Sequence, residues 1–266
     1  NISSTVTYIN NLKLRKIKDK NEVQVAGLPA NAKISNLSWS PNDTKILFTN
    51  TAANGVELWV IDVASAQAKK LTEANLNANL GAPFSWLGDN ETILVKLLPS
   101  NRKPLLDSKK DLPAGPIISN ASGAKSQNRT YPDMLKNKND EINFENIITS
   151  ELYKITLSGN KTLFKSADMF AGQSLSPDGN YIMITTIQKP FSYIVPLNRF
   201  PMKSVVYDKS GREVKIVNET PLTEIMPKGF MAVQKGKRSL MWRNDKPATL
   251  AFVQALDEGD PANKVA

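Results

Sequence analysis

The chain is 266 residues long and 41% hydrophobic, and its 34 Lys+Arg against 25 Asp+Glu give a formal charge of +9. That hydrophobic share suits a packed core and excludes a largely disordered chain. With no Cys, disulfides, thiolate nucleophiles and zinc-thiolate sites are excluded; with no His, so are Ser-His-Asp and Cys-His relays, and the commonest metal ligand is missing.

Taken in order, Val6 to Ile9 reads as a strand, and Lys13 to Lys18 and Glu22 to Val25 read as two short strands around the polar turn Asp19-Lys20-Asn21. The lysines face water and guard an edge. No aromatic residues interleave with them for base stacking, so no nucleic-acid partner is expected. Residues 1–34 therefore read as the closing half of a repeat. The first complete unit, residues 35–80, opens on a strand holding Trp39 and turns at Ser40-Pro41-Asn42-Asp43. It continues through strands at Lys45 to Thr49, Val56 to Val63 and Ala68 to Thr72.

Phe84-Ser85-Trp86, with Asp89-Asn90 and Ile93-Leu94-Val95, is a second copy in a unit spanning 81–170. Trp39 and Trp86 stand about 47 residues apart, near the ~40–45 residues of a four-stranded propeller blade. From Trp86 to the matching Leu175 the interval is about 89 residues, an excess of roughly one blade. The excess falls in an irregular insertion over 99–143, rich in Lys, Asn, Pro and Ser, with Pro113-Ala114-Gly115-Pro116 as a rigid turn. Within it, Asp133 is predicted to cap a short helix running through Asn137. Strands at Glu151 to Leu157 and Lys161 to Phe164 then finish the interrupted unit.

The third unit, 171–229, has the clearest turn, Ser176-Pro177-Asp178-Gly179, where proline presets one dihedral and glycine tolerates positive φ. A fourth, 230–266, opens its strand pattern at Lys237, runs through Ser239 to Trp242 and reaches Ala255. The fold class is thus all-β, an incomplete β-propeller of four-stranded antiparallel blades with a long irregular insertion. A chain that opens at Asn1 with neither methionine nor a basic-then-apolar leader reads as a processed or excerpted product. No apolar run is long enough to span a bilayer, so no membrane partner is expected. Trp39, Trp86 and Trp242 recur at one repeat position and are expected in the core. Asp89 and Asp178 are expected as turn residues, and Asp257-Glu258-Gly259-Asp260 as a loop, since the alternating oxygens and distal Glu of a calcium loop are missing. No metal ligands are assigned.

These units resemble the N-terminal β-propeller of the prolyl-oligopeptidase (S9) serine peptidases, and in particular the glutamyl endopeptidase branch. The carrying phrases are Gly27 to Ile34, Trp39-Ser40-Pro41, Pro113-x-Gly115-Pro116, Lys189 to Pro201, and Arg238 to Leu250 running into Gln254 to Asp260. The resemblance implies a propeller capping a C-terminal α/β-hydrolase domain whose nucleophile sits in a Gly-x-Ser-x-Gly elbow. That pentapeptide is not in this chain, so no catalytic residue is carried over and no cofactor is expected. The implied partners are a peptide substrate and the hydrolase domain, with the propeller gating and orienting peptides. Because the branch is said to cut after glutamate and the chain is basic, Arg199 and Arg243 are candidates to pair with a substrate carboxylate. The competing reading of both is a salt bridge between blades. The competing reading of the whole is a stand-alone propeller that binds peptide or protein without catalysis. The compartment is left open, with the bacterial periplasm ahead of the cytoplasm.

Overall fold

A computed structural model describes residues 8–107 and 131–265. The chain divides into two compact units, residues 1–100 with 150–167, and 101–149 with 168–266.

In the first unit, β1 (Lys13–Arg15) and β2 (Glu22–Gln24) form the expected basic hairpin. A meander follows: β3 (Ile34–Trp39), β4 (Lys45–Ala52), β5 (Gly55–Asp62) and β6 (Gln67–Lys70), in that spatial order. A second four-stranded sheet runs β7 (Phe84–Trp86), β8 (Thr92–Leu97), β9 (Ser150–Thr156) and β10 (Lys161–Asp168), so the excess residues do interrupt a sheet between its second and third strands. The expected strand at Val6 to Ile9 is described only at Tyr8 and Ile9, of which Ile9 bridges Ile34; the turn at Pro113 to Pro116 lies outside the described residues.

The second unit holds helix α1 (Lys138–Ile148), the four-stranded sheet β11 (Phe170–Leu175), β12 (Tyr181–Ile187), β13 (Met202–Asp208) and β14 (Glu213–Thr220), and the pair β15 (Lys237–Trp242) and β16 (Leu250–Gln254). The architecture is all-β: among the described residues, three four-stranded antiparallel sheets of the kind expected of propeller blades, and two two-stranded ones. The helix is a correction to the expectation placed on Asp133 to Asn137. Asn137 is its N-cap, accepting from the Asp140 backbone N–H at 2.9 Å, and Asp140 and Glu141 in the first turn suit the positive end of the helix dipole. Asp133 instead sits at φ 58°, outside the helix.

The repeated turn has a local cause. Ser40 Oγ accepts from the backbone N–H of Lys45 at 3.0 Å and donates to Asn42 at 2.9 Å. Ser176 Oγ accepts from Tyr181 N–H at 2.9 Å and donates to Asp178 at 2.6 Å. Both serines are 2% exposed, so their hydroxyls serve backbone groups that water does not reach. In the second sheet Asp89 does this work, accepting from Thr92 N–H at 2.8 Å and Thr92 Oγ1 at 2.6 Å. Partial burial raises the Asp89 carboxyl, but these bonds prevail and hold it below the ordinary value. Asp178 is likewise held low, first by the Ser176 hydroxyl and then by Asn180.

The strands' two faces feed different cores. Leu47, Leu58 and Val60 of the first meander pack with Phe84, Trp86, Ile93 and Val95 of the next sheet. Its opposite face, with Ile34, Ile46, Phe48 and Ile61, packs under Val25, Leu12, Leu14 and Leu28 from the hairpin region. Trp86 and Trp242 are buried as expected, at 8% and 9% exposure, but Trp39 is not: it is 51% exposed. Its indole lies on the Ile46 face, where the hairpin region covers Ile46 and leaves Trp39 open.

Candidate functional site

The richest constellation of side chains in the second unit lies where α1 meets the proline-rich segment 189–201. Eleven residues of helix are marginal alone in water, so docking has to hold α1 in place. Three rings supply the apolar part. Phe144 of α1 stands edge-on to Phe191 at 5.1 Å and to Phe200 at 5.9 Å, while Phe191 and Phe200 stack at 5.5 Å. Polar contacts flank the rings. Glu145 pairs with Lys189 at 2.7 Å, and Glu141 accepts from Tyr193 Oη and Lys138 Nζ, both at 2.9 Å. The Lys138 bond holds the Glu141 carboxyl below its ordinary value; burial, then the hydrogen bond to Glu141, push the Tyr193 phenol up. Residues 102–106 are laced to the same helix: Arg102 Nε donates to the Asn146 carbonyl at 3.1 Å, and Asn143 exchanges two hydrogen bonds with the Leu106 backbone.

Arg199 closes this segment. It ends a 3-10 turn, Leu197–Arg199, and its carbonyl accepts from Thr223 N–H at 3.0 Å, which fixes the backbone from which the half-buried side chain springs. The guanidinium lies over the Tyr131 ring at 5.5 Å from its centre. Among the described residues no carboxylate pairs with it. The Tyr131 hydroxyl is buried and has no hydrogen-bond partner among those residues. Arg243 is in a different state. Its Nε and a terminal nitrogen grip both oxygens of Asp245, at 3.0 and 2.6 Å, across an exposed turn. The ion pair is thus local to the turn and already bidentate.

The two candidate arginines are not placed together by any described contact. The sequence reading also missed Tyr131 and Phe144, and Lys96, a buried cation of the first unit, which is 2% exposed in β8 with Nζ donating to the Leu80 carbonyl. Burial pushes its ammonium down to about 8. The loop at Asp257 to Asp260 is a run of turns in which Asp257 and Asp260 accept from the backbone N–H groups of Gly259 and Ala262.

No family model matches the chain. It is 33% identical over 274 residues to a probable chloroplastic glutamyl endopeptidase of Oryza sativa subsp. japonica, covering 98% of this chain and 29% of that protein. Against the probable chloroplastic glutamyl endopeptidase of Arabidopsis thaliana it is 33% identical over 258 residues, covering 92% of this chain and 26% of that one. The chain is homologous to the glutamyl endopeptidases. The family resemblance read from the sequence is thereby borne out. The chain spans less than a third of the length of these relatives. Among solved structures, the β-propeller domain of the trilobed protease of Pyrococcus furiosus is similar at a TM-score of 0.41 and 13% identity, covering 75% of this chain and 45% of that one.

Proposed function

We propose that this glutamyl endopeptidase homologue is the propeller part of a serine-type peptidase, and that it gates and orients peptides for an α/β-hydrolase domain lying outside residues 1–266. The observation that carries this is the identity to named glutamyl endopeptidases across 98% of the chain. A chain without histidine and without a Gly-x-Ser-x-Gly elbow does not itself hold the acyl-transfer machinery, so its contribution is selection and positioning. Arg199 is the better placed of the two candidates for a substrate carboxylate. It is held against a ring and has no carboxylate partner among the described residues, whereas Arg243 would first have to give up Asp245.

The test is made on the full-length peptidase with matched peptides bearing Glu or Ala at the cleavage position. Arg199→Lys keeps the charge and loses the planar fork, and is expected to lower kcat/KM for Glu by about tenfold, some 1.4 kcal/mol, while sparing Ala. An unchanged Glu-to-Ala ratio removes Arg199 from recognition. A full-length protein that cleaves neither peptide and takes up no serine-directed probe removes the peptidase reading as a whole.

A further inference from the structure

Trp86 and Trp242, in different units, make the same contact. Trp86 Nε1 donates to the Ser38 carbonyl at 3.2 Å, and Trp242 Nε1 to the Ser174 carbonyl at 3.3 Å. Each acceptor lies on the first strand of the preceding sheet, and each is paired across that strand with an apolar residue of the second, Leu47 for Ser38 and Met183 for Ser174. That residue is in turn paired with a valine of the third strand, Val60 or Val206. In both cases the indole belongs to the same buried cluster as this pair, Leu47 with Val60 under Trp86 and Met183 with Val206 under Trp242. One device therefore joins successive sheets twice. The indole N–H finds a backbone acceptor, and its rings cover two paired strands.

Trp39 holds the equivalent position in β3. It has the same lead-in as Trp242: a positive-φ residue three positions earlier, Asn36 at 52° and Ser239 at 50°, with a register shift in each strand pair. It faces the same way relative to its own sheet, opposite Ile46 as Trp242 is opposite Leu250. Yet it is 51% exposed, and among the described residues its Nε1 has no acceptor. The face it stands on is already partly roofed by Leu12, Leu14, Val25 and Leu28 from the β1–β2 region, and the uncovered part is the part near Trp39.

We infer that the Trp39 face is a docking surface for a further propeller sheet of the same polypeptide. Residues outside 1–266 supply its inner strands, and β1 and β2 form its outer pair. The docked first strand presents a backbone carbonyl to Trp39 Nε1, and its second strand, which like the first lies outside residues 1–266, an apolar residue to the indole. This rests on the propeller reading above and adds the contact through which the chain joins the rest of the protein. The relatives, of which this chain covers 29% and 26%, have ample length to provide such strands.

Hydroxyl-radical footprinting of the full-length protein tests the burial. Trp39 is expected to lose its reactivity and be oxidised as slowly as Trp86 and Trp242; oxidation at the rate of an exposed indole overturns the inference. The occupant is read by replacing Trp39 with p-benzoylphenylalanine in the full-length protein and mapping the photo-crosslink. The expected product is intramolecular and lies outside residues 1–266. A product within residues 1–32, a product between two copies, or none, overturns it. An active peptidase with an exposed Trp39 keeps the proposed function and loses this contact, while an inactive protein that buries Trp39 does the reverse.

Discussion

Lys96 offers the sharpest quantitative test of how the first unit is held together. It lies in β8 directly opposite Leu152, which is fully buried, and two residues from Leu94, 1% exposed, on a buried sheet face. Its one described polar contact is the Leu80 carbonyl. Burial lowers the group from 10.5 to about 8, and at 1.36 kcal/mol per pH unit this is about 3 kcal/mol against the charged form. The folded pKa is below the unfolded one, so between them the unfolded chain binds more protons and stability rises with pH. The penalty is complete below pH ~8 and is relieved as pH climbs toward 10.5. Lys96→Met removes the charge but strips the Leu80 carbonyl of its donor, a cost of about 1–2 kcal/mol. The variant is therefore expected to be more stable than wild type by about 1–2 kcal/mol at pH ~7 and less stable by about 1 kcal/mol near pH ~10. Urea unfolding of both proteins across that range measures the difference, and taking the difference cancels the tyrosines and other lysines that titrate alongside. A difference of constant sign and size would refute the reasoning, because it would mean that Lys96 ionises as freely in the fold as in the open chain.

Two further substitutions probe the local arguments. Phe144→Ala removes the ring that Phe191 and Phe200 meet edge-on, at an expected cost of about 2–3 kcal/mol for a half-buried aromatic; amide hydrogen exchange should speed up over 138–148, and unchanged protection there would show that the polar contacts alone hold the helix. Gly55→Ala places a Cβ 2.1 Å from the Ala74 carbonyl oxygen, whereas Gly159→Ala meets nothing within 4 Å and bears only the strain of φ +96°. Thermal unfolding should therefore fall much further for the first than for the second, and equal losses would mean that the turn after β4 yields to admit the methyl group.

What the sequence disclosed is what short-range chemistry decides. Ser40 and Ser176 serve backbone groups within five residues of themselves, so the phrase that marks the turn also contains its cause. The Arg243 pairing is equally near at hand, since Asp245 follows two positions later. The start of α1 is equally local: Asn137, followed three and four residues on by Asp140 and Glu141, is a stronger helix opening than Asp133. Lys96 had a signal in Ile93-Leu94-Val95-Lys96-Leu97. An unbroken apolar run is a strand buried on both faces, which leaves a lysine inside it nowhere solvated to point.

Contacts between elements far apart in the chain could not be read this way, and the insertion shows why. Counted along the chain, residues 99–143 interrupt the sheet of β7 to β10, yet 101–149 cluster with the second unit. What ties them there is a face of α1 on which Glu141, Phe144 and Glu145 fall at helical spacing, meeting Tyr193, Phe191 with Phe200, and Lys189. No residue in that set identifies its partner by local pattern: an acidic helix with one aromatic reads as a solvated face until the proline-rich segment is placed against it. Arg199 follows from the same fact. Its ring partner, Tyr131, arrives with the insertion, so the surroundings of the one candidate guanidinium without a described carboxylate are set by a segment that interrupts a different sheet. If Arg199 does read a substrate carboxylate, loosening the insertion through Phe144 should disturb recognition of glutamate as well as the helix, which separates a supporting role for the insertion from a merely architectural one.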